Sequence, residues 1–249
     1  MGNNSQNYTL LGRKIMNKSI TIIYLVTFLL GSDQIPAPDQ TQSILLKGGT
    51  LYTVSNGILK DTDILFESGV ISMIGSGLNV DADTIIKVTG KNIYPGLISS
   101  VSTLGLQEIG AVRATRDYAE VGSVNPNVRA NVSYNPDSEL IPISRSNGIL
   151  LALSTPKSGL ISGQSSLMML DGWTWEDATL KHPVGLHLNW PGMGIRKEYK
   201  KSLKEQKKQR LQSIQIIDDI FNRANAYKNS KSNENILTKH DLKLESLIP

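Results

Sequence analysis

The chain has 249 residues, enough for one large domain or a medium one with a small companion. Hydrophobic residues make up 39% and charged residues 19%, a globular composition that argues against global disorder. Cysteine is absent, which excludes a disulfide framework, a Cys-based zinc site, an iron–sulfur cluster and a cysteine nucleophile. The net charge of +4 comes from one stretch. Residues 196–210 hold eight Lys/Arg against Glu198 and Glu205, a local +6 that leaves −2 for everything else. The basic balance therefore describes one segment and gives little support to nucleic-acid binding.

Arg13, Lys14 and Lys18 precede an apolar run, Ile20 to Leu30, that leaves through Gly31-Ser32. This is the plan of a secretory signal peptide over residues 1–32, with an uncleaved anchor as the alternative. Met16 is a credible start, because MNKSITIIYLVTFLLGS is a complete signal by itself. The uncharged stretch Ser19 to Ser32 spans only about 21 Å as a helix, too short for a stable transmembrane span. The expected destination is outside the cytoplasm, periplasmic or extracellular. Residues 33–42 (DQIPAPDQTQ) read as a polar linker.

From residue 43 to about 92 the signals are strand and turn: ILLKGG, TLYTV, ILKDTDILFESG, VISMIGSG and TIIKVTG, punctuated by Gly-Gly, Asn-Gly, Ser-Gly and Thr-Gly. Asn56-Gly57 predicts a tight hairpin reversal. Such a sheet is too small to bury both faces and must pack on something else.

After Gly90 the texture changes. ILLALS (149–154), SLMML (166–170) and VGLHL (184–188) read as strands buried on both faces, as in parallel sheets. SGLISGQSS between the first two reads as a Gly/Ser-rich loop. Asp137-Ser138-Glu139 predicts a helix start and Asn147-Gly148 its end. Apolar residues at Ile195, Tyr199, Leu203, Leu211, Ile214, Ile217, Phe221 and Ala224 predict one long amphipathic helix to about Tyr227. Its cations lie mostly opposite that stripe with no aromatic between them, so it reads as a solvated outer helix rather than a nucleic-acid surface. Alternating strands and helices suggest an α/β barrel or an open parallel sheet.

KNIYPGLIS (91–99), following a small β-domain, resembles the amidohydrolase superfamily, whose members read Pro-Gly-Leu-Ile-Asp-x-His-x-His there. The block from Leu104 to Asp177, with LGLQEIGAVRATRD, NPNVRANVSYNPDSELIPISRSNGI and SGLISGQSSLMMLDGWTWED, is similar to an exported, imidazolonepropionase-like branch. The similarity covers roughly residues 43–249. It implies a β-sandwich-like composite domain (43–92) followed by the first half of a (β/α)8 TIM-type barrel (93–249). It implies too a hydrolase of non-peptide carbon–nitrogen bonds, acting through water activated by a divalent metal such as zinc at the mouth of the strands.

Two His at i and i+2 of the first barrel strand would share one face and hold the metal. Aligned on Pro95-Gly96-Leu97-Ile98, the Asp position is Ser99 and the two His positions are Val101 and Thr103. Neither side chain replaces an imidazole, so no metal is expected for this chain. The later barrel strands, with their further ligands, have no counterpart before Pro249. The chain reads as a fragment or as a half-barrel that self-associates or needs a missing C-terminal half. The rival is a non-catalytic protein on a degenerate scaffold, binding an unknown small molecule or another partner.

Other motifs have plain structural readings. His187 lies in a strand and reads as structural, His182 precedes Pro183 in a turn, and His240 lies in a polar tail. Ser154-Thr155-Pro156-Lys157 matches Ser-x-x-Lys without the companion motifs of penicillin-binding enzymes. Trp173 and Trp175, with Glu176 and Asp177, offer a ligand-stacking surface or pack a barrel rim. Glu108, Arg113, Arg116 and Asp117 follow the first barrel strand, where they contact a polar ligand or form salt bridges with one another.

Overall fold

A computed structural model of the chain describes residues 35–195, 201–233 and 239–248. The stretch read above as a signal peptide and part of the basic stretch lie outside them. The molecule is mixed α/β, with two sheets inside one unit that runs from Pro36 onward.

Ile44–Tyr52 (β1) and Ile58–Glu67 (β2) form an antiparallel hairpin, and Val70–Gly75 (β3) pairs with β2. Thr84–Lys87 (β4) and Asn92–Ile93 (β5) both add parallel to β1. ILLKGG and TLYTV are thus one strand. Its register slips between Leu46 and Gly49, where Gly48 takes a left-handed φ of 76°. Asp63 catches the amide freed by that bulge: its Oδ1 accepts from Gly48 N at 2.7 Å, and its Oδ2 accepts from Leu78 N at 2.8 Å. Asp63 is 2% exposed.

The Asn56-Gly57 reversal is wider than a two-residue turn. Tyr52 pairs with Ile58, and the loop closes through Thr53, whose N–H donates to Gly57 O and whose Oγ1 accepts from Asn56 N. Ser68-Gly69 makes the tight turn instead, with φ of 50° and 76° suited to the right-handed strand twist. The stretch read as a linker is fastened at two points. Ala37 N donates to Asp171, and Gln40 bonds Phe66 O and Gly69 N.

The second sheet has the order β6-β7-β8-β9, with Leu97–Ser102 (β6), Ile149–Ser154 (β7), Ile161–Met169 (β8) and Thr179–Leu188 (β9). Only β6 and β7 are parallel; β7–β8 and β8–β9 are antiparallel. That corrects the all-parallel expectation. Connection length supplies the reason, because a parallel return needs a crossover of a dozen or more residues. The segment 103–148 provides one, through helix Leu140–Ser146 (α1), which starts and ends where the sequence placed it. Residues 155–160 and 170–178 are too short, the latter holding only the one-turn helix Trp175–Ala178 (α2). SGLISGQSS is not a loop either, since residues 161–166 belong to β8. Pro183 lies inside β9 rather than in a turn, tolerated there because β9 is an edge strand.

Two apolar clusters support this sheet. Tyr134, Ile141, Ala152, Met168, Leu170 and Ala178 form one. Ile161, Ile220, Ala224, Tyr227 and Leu244 form the other, joining β8 to the long helix Leu203–Lys231 (α3) and the short helix Leu242–Glu245 (α4). Ser202 and Glu205 close the start of α3 as a reciprocal capping box, and those bonds hold the Glu205 carboxyl below its usual range. The buried positions Ile217, Ile220, Ala224 and Tyr227 differ from the expected stripe, because Leu203, Leu211 and Phe221 are exposed.

Candidate functional site

Of the three positions aligned with the family motif, Ser99 and Val101 lie in β6 and Thr103 follows its last residue, Ser102. Val101 adopts φ of 52° and is 55% exposed. A β-branched residue in the left-handed region is a steric outlier that its surroundings must hold in place. The pairing of β6 with β7 loses register between Ser99 and Ser102, across Val101, and resumes at Ser102 opposite Ser154. The i, i+2 rule for one strand face therefore fails here in the backbone as well as in the side chains. Bonds around the break hold it: Thr155 N donates to Ser102 O, Leu104 N to Ser102 Oγ, and Ser154 Oγ to Leu104 O. Ser154 is fully buried in that role, while Lys157 is exposed, so Ser-x-x-Lys forms no nucleophile pair.

The loop after β6 separates the four charged candidates. Glu108 turns toward the start of α1, accepting from Ser138 Oγ at 2.8 Å and from Asn135 Nδ2 at 3.5 Å. Arg113 sits in a single 3-10 turn, exposed. Arg116 is half-buried, its backbone bridged to Gln107, and its Nε is enclosed without a hydrogen-bond partner among the described residues. Asp117 is exposed, its backbone N–H donating to Leu106 O. None of the four forms an ion pair with another among the described residues, which corrects the salt-bridge expectation.

The histidines also diverge. His240 is exposed, 3.9 Å from a Glu245 oxygen. His187 is half-buried opposite Gly163, and burial pushes its pKa down. His182 joins a buried cluster that sequence reasoning missed. Its Nδ1 lies 2.8 Å from Ser166 Oγ, and that hydroxyl also accepts from Asn131 N at 3.2 Å. The Asn131 side chain, 1% exposed, donates to Thr179 Oγ1 and leaves its Oδ1 without a partner among the described residues. Ser166 Oγ and His182 Nδ1 share one hydrogen bond, whose direction follows the tautomer of the ring. Burial and the nearby Arg129 charge hold His182 below its ordinary pKa, opposed by a hydrogen bond to the Ser165 backbone. With Ser166 fully buried, the pair is a structural tie between β8 and β9 rather than an exposed nucleophile.

The sign of the pH effect follows. A histidine whose folded pKa is depressed takes up its proton more readily in the unfolded chain, so stability falls as pH drops below about 6.5. The urea midpoint is expected to decrease between pH 8 and pH 5. His182→Asn, which keeps an acceptor near the Nδ1 position, should flatten that dependence, and an equally steep profile in the variant would assign it elsewhere.

The tryptophans do not act together. Trp175 packs against the first cluster, whereas Trp173 is exposed and lines a cavity with Pro36, Asp39, Asp171 and Asp177. Arg145 donates to Asp171 at 2.7 Å on its rim. No group of three or more His, Cys, Asp or Glu could hold a metal among the described residues.

Structural comparison relates the chain to a solved protein. An amidohydrolase from Thermotoga maritima MSB8 superposes with a TM-score of 0.68 at 25% identity, over 82% of this chain and 54% of its own. The chain thus spans about half the length of that protein. A molinate hydrolase matches at 31% identity over 26% of this chain and 15% of its own, with a TM-score of 0.24. A prolidase complexed with N-methylphosphonate-L-proline matches at 16% identity over 44% of this chain and 25% of its own, at 0.30. These two share too little to bear on the fold. No family model and no curated protein matches the chain.

Proposed function

We propose that this chain, which belongs to the amidohydrolase superfamily, is a hydrolase-type scaffold that performs no metal-dependent hydrolysis by itself. In this reading residues 43–92 are the β-sandwich-like part of the fold. Residues 93–249 are the opening part of a (β/α)8 barrel, with β6, α1 and β7 as its parallel unit. The match to about half of the Thermotoga amidohydrolase supports the amidohydrolase-type scaffold. The lineage is one of hydrolases for non-peptide carbon–nitrogen bonds. Export rests on the residues before Asp33 alone.

The observation that carries the proposal is the state of β6. A divalent ion held by the first strand needs two imidazoles on one face. Here the positions carry Val101 and Thr103, and Val101 itself is left-handed within a break in register that runs from Ser99 to Ser102. The residues do not fit the metal, so no hydrolytic step is derived through it.

Elemental analysis of the purified chain is expected to find far less than one zinc per molecule. Restoring the motif with Val101→His and Thr103→His should not bring stoichiometric zinc, because the backbone does not project both side chains together. Near one zinc per chain in the wild type would overturn the proposal. Stoichiometric zinc in the double variant alone would show that only the side chains were lost. A second reading, a non-catalytic ligand-binding or interaction protein, is favoured by the cavity beside Trp173. Saturable binding of a small molecule, abolished by Trp173→Ala and accompanied by no turnover of amides or cyclic imides, would select it.

A further inference from the structure

Helix α3 is gripped by the core only along its second half. Its buried residues begin at Ile217, and the turns from Leu203 to Ile216 contain none. Isolated turns of helix gain little in water, so an uncovered half-helix with leucines on its surface invites a partner.

The arrangement of that half is informative. Leu203, Lys207, Leu211 and Ile214 follow at steps of four, four and three and form one stripe, with Lys204 and Lys208 in the adjoining row. Leu211 is 67% exposed. Lys204, Lys207 and Lys208 pair with no carboxylate among the described residues. On the other side of the leucine stripe, Arg210 donates from Nε to Gly192 O and from Nη2 to Gly194 O, each at 3.0 Å. Those two bonds fasten the segment after β9 to the helix. The segment presents Trp190 at 57% exposure, with Met193 and Ile195 also exposed.

Cations and leucines thus share one side of the helix, and the segment that bears the exposed Trp190 is fastened to the same helix through Arg210. A merely solvated basic face has no use for the apolar groups. An anionic bilayer surface uses both, lipid phosphates for the lysines and the headgroup–acyl boundary for tryptophan and leucine. We propose that the first half of α3 and the Trp190 segment together form a docking surface for a membrane rich in anionic phospholipid. This inference is independent of the hydrolase reading.

The test is flotation of the full chain with vesicles of 30% phosphatidylglycerol in phosphatidylcholine, compared with phosphatidylcholine alone. Each lysine near such a surface adds to the attraction. Lys204→Glu/Lys207→Glu/Lys208→Glu is therefore expected to reduce the bound fraction on anionic vesicles by about tenfold or more. The variant keeps the same amino terminus, so the difference reports this surface and not the apolar run Ile20 to Leu30. Its circular dichroism should match the wild type, since all three positions are exposed. Brominated lipid should quench a tryptophan emission that Trp190→Phe removes and Trp173→Phe leaves. Equal flotation of the triple variant, or quenching insensitive to Trp190→Phe, overturns the proposal. So does binding of a single-stranded oligonucleotide as tightly as vesicles in the same buffer, which would make the face a general polyanion site.

Discussion

Residues 33–249, purified at micromolar concentration, are expected to scatter light as an oligomer or aggregate and to melt over a broad temperature range. The expectation rests on strands that lack cover. In β3, Val70, Ile71, Met73 and Ile74 are all exposed, although alternate residues point to opposite faces. Ile85 and Ile86 repeat the pattern in β4, and Leu97 and Ile98 lie exposed on the edge strand β6. An unpaired apolar edge is a template for another strand, and large apolar patches are rarely tolerated on soluble monomers. Placing charges on the first edge with Ile71→Lys and Ile74→Lys should shift the distribution toward monomer. A monomeric wild type with a sharp cooperative melt would show that the chain closes its core by itself, and the half-barrel reading would then fail.

Asp63→Ala is expected to cost roughly 3 kcal/mol, a large share of what a domain of this size possesses. The carboxylate is buried and serves two backbone amides, Gly48 N at the bulge of β1 and Leu78 N beyond β3. Alanine leaves both amides, which are partly buried, without their acceptor. Asp63→Asn keeps the volume and one acceptor but turns an N–H toward an N–H, for a smaller loss of about 2 kcal/mol. Urea midpoints measure the order Asp > Asn > Ala, and hydrogen exchange at Gly48 and Leu78 locates it. Unchanged protection at those amides would mean that other groups replace the carboxylate.

The strands of the first sheet were readable because alternation and Gly-containing turns are local signals. So was α1, whose Asn147-Gly148 ending needs the left-handed conformation that Gly148 takes at φ of 83°. Strand direction was not readable from apolar runs. The information lay in connection length, since residues 155–160 cannot carry a crossover. Gly163 misled more seriously. In a strand, a small residue signals close approach of another chain segment, and a Cβ there would sit 2.7 Å from Val128 O. Reading SGQSS as a buried strand would have placed Ser166 within reach of His182. The residue types at the aligned positions, Val101 and Thr103, are read directly from the sequence, while the left-handed φ of Val101 is held by hydrogen bonds from distant Ser154 and Thr155 and leaves no sequence signal.

The antiparallel run from β7 through β9 also has a kinetic meaning. Neighbours in that run are neighbours in sequence, so each pairing closes a short loop and forms early. The parallel contact of β6 with β7 waits instead for the whole segment 103–148 to be arranged. A nascent chain therefore has three consecutive strands whose pairing is local, and the earlier strand docks on them afterwards. Those three strands are the part of the architecture best able to persist when the rest of a scaffold is remodelled.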